Sequence, residues 1–323
     1  MILVSYRMIR FDGSEEAMRK QWLEYRKGGI GGSDAAAVMG FSPFATPYTV
    51  WLEKTRRVEP EDLSDNEAVY WGVKLEDKVA EEFAKRHPDM MVKRKRGVMQ
   101  SKERPWQFAT VDRVTRDRLG RRGILEIKTC SARRAADWEN GVPDYYLPQP
   151  IHYLAVSGYD FFDVAVLIGG QEYRDFHYER DEADIQAVTE REQEFWEEYV
   201  LKDIPPIVTG SKTDSDALFS QHMNPSDEYI EMLDEDLPNV RRRIAIDGLV
   251  KQYQEEIREI DNQLKQIIGD AKGIRTPNRK ITWVRSQYST FDKKKLQQEE
   301  PEIYGRYCGK KERDGGMRYT EKG

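Results

Sequence analysis

The chain has 323 residues, of which 34% are charged and 11% aromatic, with a formal net charge of −6. That length affords a sizeable core in one large domain or two, and the aromatic content excludes a disordered chain. No run of eighteen apolar residues occurs, the start is too short for a signal peptide, and the distant Cys130 and Cys308 support neither a zinc ribbon nor an iron–sulfur cluster, so a soluble intracellular protein is expected.

The charge is unevenly spread. Residues 93–134 carry fourteen Lys/Arg against four Asp/Glu, 171–270 carry eleven against twenty-six, and 272–323 carry fourteen against seven. A basic block before an acidic one suits a protein that holds a polyanion at one face; an uneven solvated surface is the alternative.

In chain order, Met18 to Arg26 fits a short amphipathic helix. The Gly28-Gly-Ile-Gly-Gly-Ser33-Asp34 turn then precedes an Ala-rich helix that Ser33 or Asp34 can cap. With Arg26 just upstream, this is either a phosphate pocket or a tight turn before a capped helix. The Gly-Lys-Ser/Thr ending of a P-loop is missing. Tyr48 to Thr55 reads as a helix anchored by Trp51, and 59–67 as an acidic linker. In the next helix, about Tyr70 to Arg86, Glu76, Val79, Ala80 and Phe83 share one face. Glu76 therefore lies on the apolar stripe, compensated by a metal, a lysine or a metal-held water, or else by the helix dipole.

The stretch Ala109 to Lys128 holds two short apolar runs separated by a Gly/Arg-rich turn. In the second, Glu126 and Lys128 project from one side while Leu125 and Ile127 face a core. If the runs pair as a hairpin, Asp112 reaches the same edge. Two carboxylates and an ammonium there make a magnesium site with a charged group beside the attacking water; a solvated hairpin is the alternative. Ala132 to Asn140 is expected to be helical, as is 148–157, where Gln149 and Tyr153 share a face and can hydrogen-bond phosphate or a metal-held water. Phe161 to Ile168 reads as a buried strand with Tyr173 to Glu179 beside it. Asp181 to Leu201 is an acidic helix with Phe195 and Trp196 inward, and Pro205 to Asp227 is loop-like. A long helix with one apolar seam from Ile246 to Ile267 follows, either a coiled-coil arm or a helix laid on the main domain, and then a small strand-plus-helix basic tail. These elements divide the chain into 1–204, a linker 205–239, and 240–323.

Four motifs in order, Arg26 with Gly-Gly-Ser33-Asp34, Gly72-x-x-x-Glu76, Asp112 with Glu126-x-Lys128, and Gln149-x-x-x-Tyr153, make the chain resemble the YqaJ-like viral recombinases, relatives of the lambda phage exonuclease. The resemblance implies an α/β fold with a PD-(D/E)xK restriction-endonuclease-like core: a mixed central sheet flanked by helices, plus the long C-terminal helix and small tail. It implies a nuclease core over 1–204 and a magnesium-dependent exonuclease, with manganese as substitute, degrading one strand of duplex DNA from its 5′ end to leave 3′ tails for phage-type recombination. Asp112, Glu126 and the Ile127 carbonyl would hold the metal, Glu76 would add a further carboxylate, and Lys128 would orient or deprotonate water. Gln149 would position the water or phosphate, Arg26 and Ser33 would bind the substrate's terminal 5′ phosphate, and Asp34 and Tyr153 would be further substrate-binding residues. Val111 stands where the family's nominal proline would precede Asp112, a position that makes no ligand. Also implied are a homotrimeric ring, a single-strand-annealing partner, no membrane, and the cytoplasm of a bacterium whose phage or prophage encodes the chain. An endonuclease of the same fold and a non-catalytic DNA-end-binding protein are the competing readings; a dinucleotide enzyme lacks the required strand–Gly–helix–acid layout.

Overall fold

The computed structural model describes residues 5–60, 63, 65–224, 226–233, 237–309, 314–317 and 319. Parts of the expected acidic linker (61, 62 and 64), of the 205–239 linker (225 and 234–236), and of the basic tail (310–313, 318 and 320–323) lie outside them. The chain forms two compact units, Met1–Met223 and Asn224–Gly323.

In the first unit, β3 (Met91–Arg94), β6 (Arg113–Arg116), β7 (Arg122–Cys130), β8 (Phe161–Ile168) and β9 (Glu172–Glu179) form a sheet in the order 3-6-7-8-9. Its neighbours pair antiparallel except β7 and β8, which are parallel. A parallel pair needs a crossover, and α5 (Pro148–Ser157) lies within the connection. β8 is buried on both faces, hence its unbroken apolar run. Phe162, Val164 and Val166 pack with Leu154 and Val156 of α5 on one face. On the other, Ala165 meets Leu125, Ile127 and the Val79, Ala80 and Phe83 stripe of α4 (Glu67–Arg86). The expected α/β architecture, a mixed central sheet flanked by helices, is thus present. Fully burying Phe83 contributes ~2–3 kcal/mol of transfer free energy.

A smaller sheet of β1 (Tyr6–Ile9), β4 (Val98–Ser101), β5 (Gln107–Ala109) and β2 (Ile30–Gly31) leads into α1 (Glu15–Arg26) and α2 (Gly32–Val38). Ser14 caps α1, and Thr46 caps α3 (Pro47–Lys54), whose Trp51 is buried as expected. Ala132–Trp138 is a 3-10 helix. α6 (Glu182–Glu194) passes into a π-helical turn, Phe195–Val200, that buries Phe195 and Trp196.

The loop expected over Pro205 to Asp227 is corrected: Lys212–Gln221 forms α7. Its inward face mixes a polar contact with only two apolar residues, Ala217 and Leu218, so it shows little apolar stripe in sequence. Ser211 caps it, and the wholly buried Asp214 accepts from the Thr46 hydroxyl (2.5 Å), the Thr209 amide (2.6 Å) and the Thr209 hydroxyl (2.7 Å). In the second unit, α8 (Pro238–Ile268) carries the apolar seam with Ile246, Tyr253 and Ile257 exposed. A β10–β11 hairpin (Gly273–Arg275, Lys280–Thr282), α9 (Lys293–Glu299) and α10 (Pro301–Tyr307) follow. No helix among the described residues is long and apolar enough to cross a membrane.

Candidate functional site

The β6–β7 hairpin builds the centre of the site. Its register pairs Arg113 with Leu125, which puts Asp112, one residue before β6, across from Glu126. Asp112 Oδ2 accepts the Ile127 amide at 2.8 Å, fixing the carboxylate against β7. Strand alternation places Glu126 and Lys128 on the side opposite Leu125 and Ile127, and Lys128 Nζ lies 2.6 Å from Glu126 Oε1. Lys128 also donates to Gln149 Oε1 (2.9 Å), and Gln149 Nε2 donates to the Tyr153 hydroxyl (2.9 Å). The i, i+4 pair on α5 thus continues the line begun at the strand edge.

The charges here do not balance. Glu126 is only 3% exposed, and its Oε2 is buried without a hydrogen-bond partner. Burial, followed by the neighbouring Glu126, pushes the Asp112 carboxyl up to about 8 despite the Ile127 amide and Lys128. Burial, Glu126 and Asp112 also push the Tyr153 phenol well above its ordinary range. An orphaned carboxylate oxygen beside a second destabilised carboxyl is a donor set that fits a hard divalent cation.

Glu76 is held differently. Arg113 Nη1 lies 2.5 Å from its Oε1 and Arg94 Nη2 lies 3.5 Å away, so arginines compensate it where the sequence suggested metal, lysine or helix dipole. It is also ten residues into α4, beyond the first turn. Among the described residues no three Asp, Glu, His or Cys side chains gather as a metal-binding group, so Glu76 does not join Asp112 and Glu126 in one cluster. Arg113 also bonds the Asp112 carbonyl (2.6 Å) and Asp77. Its one signal in the sequence is an arginine at the inward first position of the strand that follows Asp112.

The second part of the site surrounds Arg26. Its Nη2 donates to Ser33 Oγ at 2.8 Å and pairs with Asp34 Oδ1 at 3.0 Å, while the guanidinium lies 4.9 Å from the Trp22 ring centroid. Asp34 Oδ2 takes Lys54 Nζ at 2.6 Å and the Gly31 amide at 2.9 Å. Burial alone would raise the Asp34 pKa, but Lys54 and Arg26 overcome it and hold the carboxyl well below its usual range. Lys54, its side chain 2% exposed, also bonds the Arg26 carbonyl at 3.1 Å. Its signal in the sequence is that it follows Trp51 by three on the buried face of α3.

The two parts meet at Gly32. A Cβ there would fall 2.3 Å from the Tyr153 ring, so only glycine lets α2 approach α5 this closely. Behind Tyr153, the wholly buried His152 places Nδ1 2.7 Å from Glu192 Oε1 and Nε2 2.8 Å from the Phe108 carbonyl. Burial would lower the His152 pKa, but Glu192 and the Phe108 carbonyl raise it, and the ring ties α5 to α6 through Glu192. A lone histidine in Pro-Ile-His-Tyr gave no sign of this partner forty residues on.

The YqaJ-like viral recombinase domain matches residues 21–160, the span that holds every residue of both parts. The protein YqaJ of Bacillus subtilis (strain 168) is 33% identical over 295 residues, 90% of this chain and 91% of that one. An alkaline exonuclease from Laribacter hongkongensis is 20% identical and covers 57% of this chain and 94% of its own, with a TM-score of 0.47. A phage related exonuclease from Haemophilus somnus 129PT is 11% identical and covers 54% and 96%, with a TM-score of 0.38. Since a third of the residues are shared with YqaJ along nine-tenths of the chain, and the domain match spans the hairpin, α5 and the Arg26 turn, the chain belongs to the YqaJ-like viral recombinase family.

Proposed function

We propose that this protein is a 5′-to-3′ exonuclease on linear double-stranded DNA that leaves 3′ single-stranded tails. The observation that carries this reading is the meeting of two opposite sites at Gly32 and Tyr153: a carboxylate pair short of positive charge, and an arginine–hydroxyl pair suited to an anion. Membership of the YqaJ-like viral recombinase family points the same way.

Asp112 and Glu126, with the Ile127 carbonyl, would hold Mg2+ or Mn2+. When bound, the ion supplies Lewis-acid activation and charge neutralisation at a phosphate. Lys128, between Glu126 and Gln149, holds a proton and a positive charge where water must attack. Gln149, its amide oriented by Lys128 and Tyr153, positions that water or the scissile phosphate. Arg26 and Ser33 receive the terminal 5′ phosphate, and Asp34 with Lys54 fixes Arg26 in place. A terminal monoester carries nearly two negative charges against one for an internal diester, so this pocket selects ends. We further assign a homotrimeric ring and a single-strand-annealing partner to the complete system, on the family resemblance.

The test is end-labelled linear duplex beside a closed circle of the same sequence, each with magnesium. Degradation of the linear form alone is the expected result. Brisk nicking of the circle would make the protein an endonuclease, and binding without cleavage of either would make it an end-binding protein.

A further inference from the structure

On the opposite face of α1 from Arg26 lies an open groove of about 820 Å³ that the catalytic reading does not use. Lys20, Glu24 and Tyr25 of α1 line it, whereas Trp22 and Arg26 point to the other side of the helix. Its wall is aromatic: Phe11 meets Tyr25 edge-on with centroids 5.7 Å apart, and Tyr25 tilts over Phe108 at 4.7 Å. The Phe108 ring can lie there because residue 29 is glycine. A Cβ at that position would fall 2.3 Å from the Trp106 carbonyl oxygen and 2.6 Å from the ring.

The charge around the wall is positive. Its one acid, Glu24, is neutralised by Arg56 at 2.5 Å and faces Lys27 at 3.4 Å. Arg7 bonds the neutral Gln100 amide oxygen at 2.5 Å and keeps its charge, and the exposed Lys20 adds another. Aromatic faces beside uncompensated cations fit a flexible polyanion with flat bases; a duplex, its bases already stacked, has nothing to offer the rings. We propose that this groove binds single-stranded DNA, its bases stacking on Phe11 and Tyr25 and its phosphates facing Arg7 and Lys20. That the strand is the one the enzyme leaves undegraded rests on the proposed exonuclease activity; the binding itself does not.

The test uses the full chain with a chelator present, so that nothing is cleaved, and a labelled oligothymidylate read by fluorescence anisotropy. Phe11→Ala should weaken binding by about five- to a hundredfold, the scale of one lost stacking contact, and Lys20→Glu by about fivefold or more through a reversed charge facing a phosphate, with blunt-duplex affinity and melting temperature unchanged in both. Unaltered oligothymidylate affinity in either variant overturns the proposal, as does an equal loss for duplex, which would mark a general basic surface. A changed oligomer mass in Lys20→Glu also overturns it, since the groove would then be covered by a second copy. Magnesium-dependent cleavage of linear duplex, measured separately, shows whether the catalytic reading stands when this one fails.

Discussion

Two carboxylates in the first unit, Asp34 and Asp112, sit in opposite surroundings. Asp34 is gripped by Lys54 and Arg26 and stays ionised far into acid. Asp112 faces a second carboxylate and an amide, and its pKa rises to about 8. The first carboxylate is saturated, so its work is to hold an arginine still. The second belongs to a pair whose charge is only partly met by Lys128, and that deficit is what a divalent cation would fill. The same residue type is scaffolding in one place and, in the function proposed, a metal ligand in the other, decided by the cations within about 3 Å.

The largest expected effect breaks the unsaturated side. Asp112→Ala or Glu126→Ala should lower magnesium-dependent cleavage by ~10³-fold or more, at least the scale of losing one preorganised electrostatic group. DNA affinity should stay within a few-fold, because basic side chains supply most binding. Single-turnover cleavage and anisotropy check this; full cleavage by Asp112→Ala would remove the metal assignment. Lys128→Ala comes next, with a rate loss of ~10²–10⁴ and little change in affinity. If affinity falls and the rate does not, Lys128 is only a phosphate clamp.

Stability sharpens the contrast through its sign. A carboxyl whose folded pKa is raised contributes stability that is present below its unfolded value of 3.8 and lost as pH rises through about 8. The metal-free protein should therefore melt lower at pH 9 than at pH 5 through Asp112, and Asp112→Asn should flatten that slope. Magnesium should restore more at pH 9 than at pH 5. Asp34 has the opposite sign: its stabilisation is present above the unfolded pKa and is lost as pH falls below ~4. Lys54→Ala, which leaves the buried Asp34 to Arg26 and the Gly31 amide, should cost ~1.5–3 kcal/mol in denaturant melts, the scale of a hydrogen bond to a charged group.

The contrast also shows what a sequence displays. Alternation along Gly-Ile-Leu-Glu-Ile-Lys put Glu126 and Lys128 on one side, and 3.6-residue spacing put Gln149 above Tyr153, because local backbone geometry fixes both. Four of the five strands of the main sheet, β6 to β9, and the helices packed on them followed from such local patterns; β3 did not. Long-range polar partners did not. Arg113 with Glu76, Lys54 with Asp34 and His152 with Glu192 are 37, 20 and 40 residues apart, and no period links them. α7 escaped for the same reason, since the buried Asp214 that meets Thr46 stands where an apolar residue would mark the inward face, leaving only Ala217 and Leu218 against the core.

The seam of α8 gives the smallest effect. Ile257 is exposed within a run of apolar residues, and Ile257→Glu should alter the elution volume or solubility while leaving the rate per active site unchanged. An unchanged elution volume would exclude the seam from assembly.

The most direct measurement of the central claim compares linear duplex bearing 5′ phosphates with the 5′-hydroxyl form, at subsaturating DNA, for the unmutated protein and Arg26→Ala. An arginine and a hydroxyl 2.8 Å apart should favour the extra charge of the monoester by ~1–3 kcal/mol. The phosphorylated end should then be degraded roughly ten- to a hundredfold faster, and Arg26→Ala should erase most of that preference while cleavage stays magnesium-dependent. Equal rates on the two ends in the unmutated protein would contradict the account.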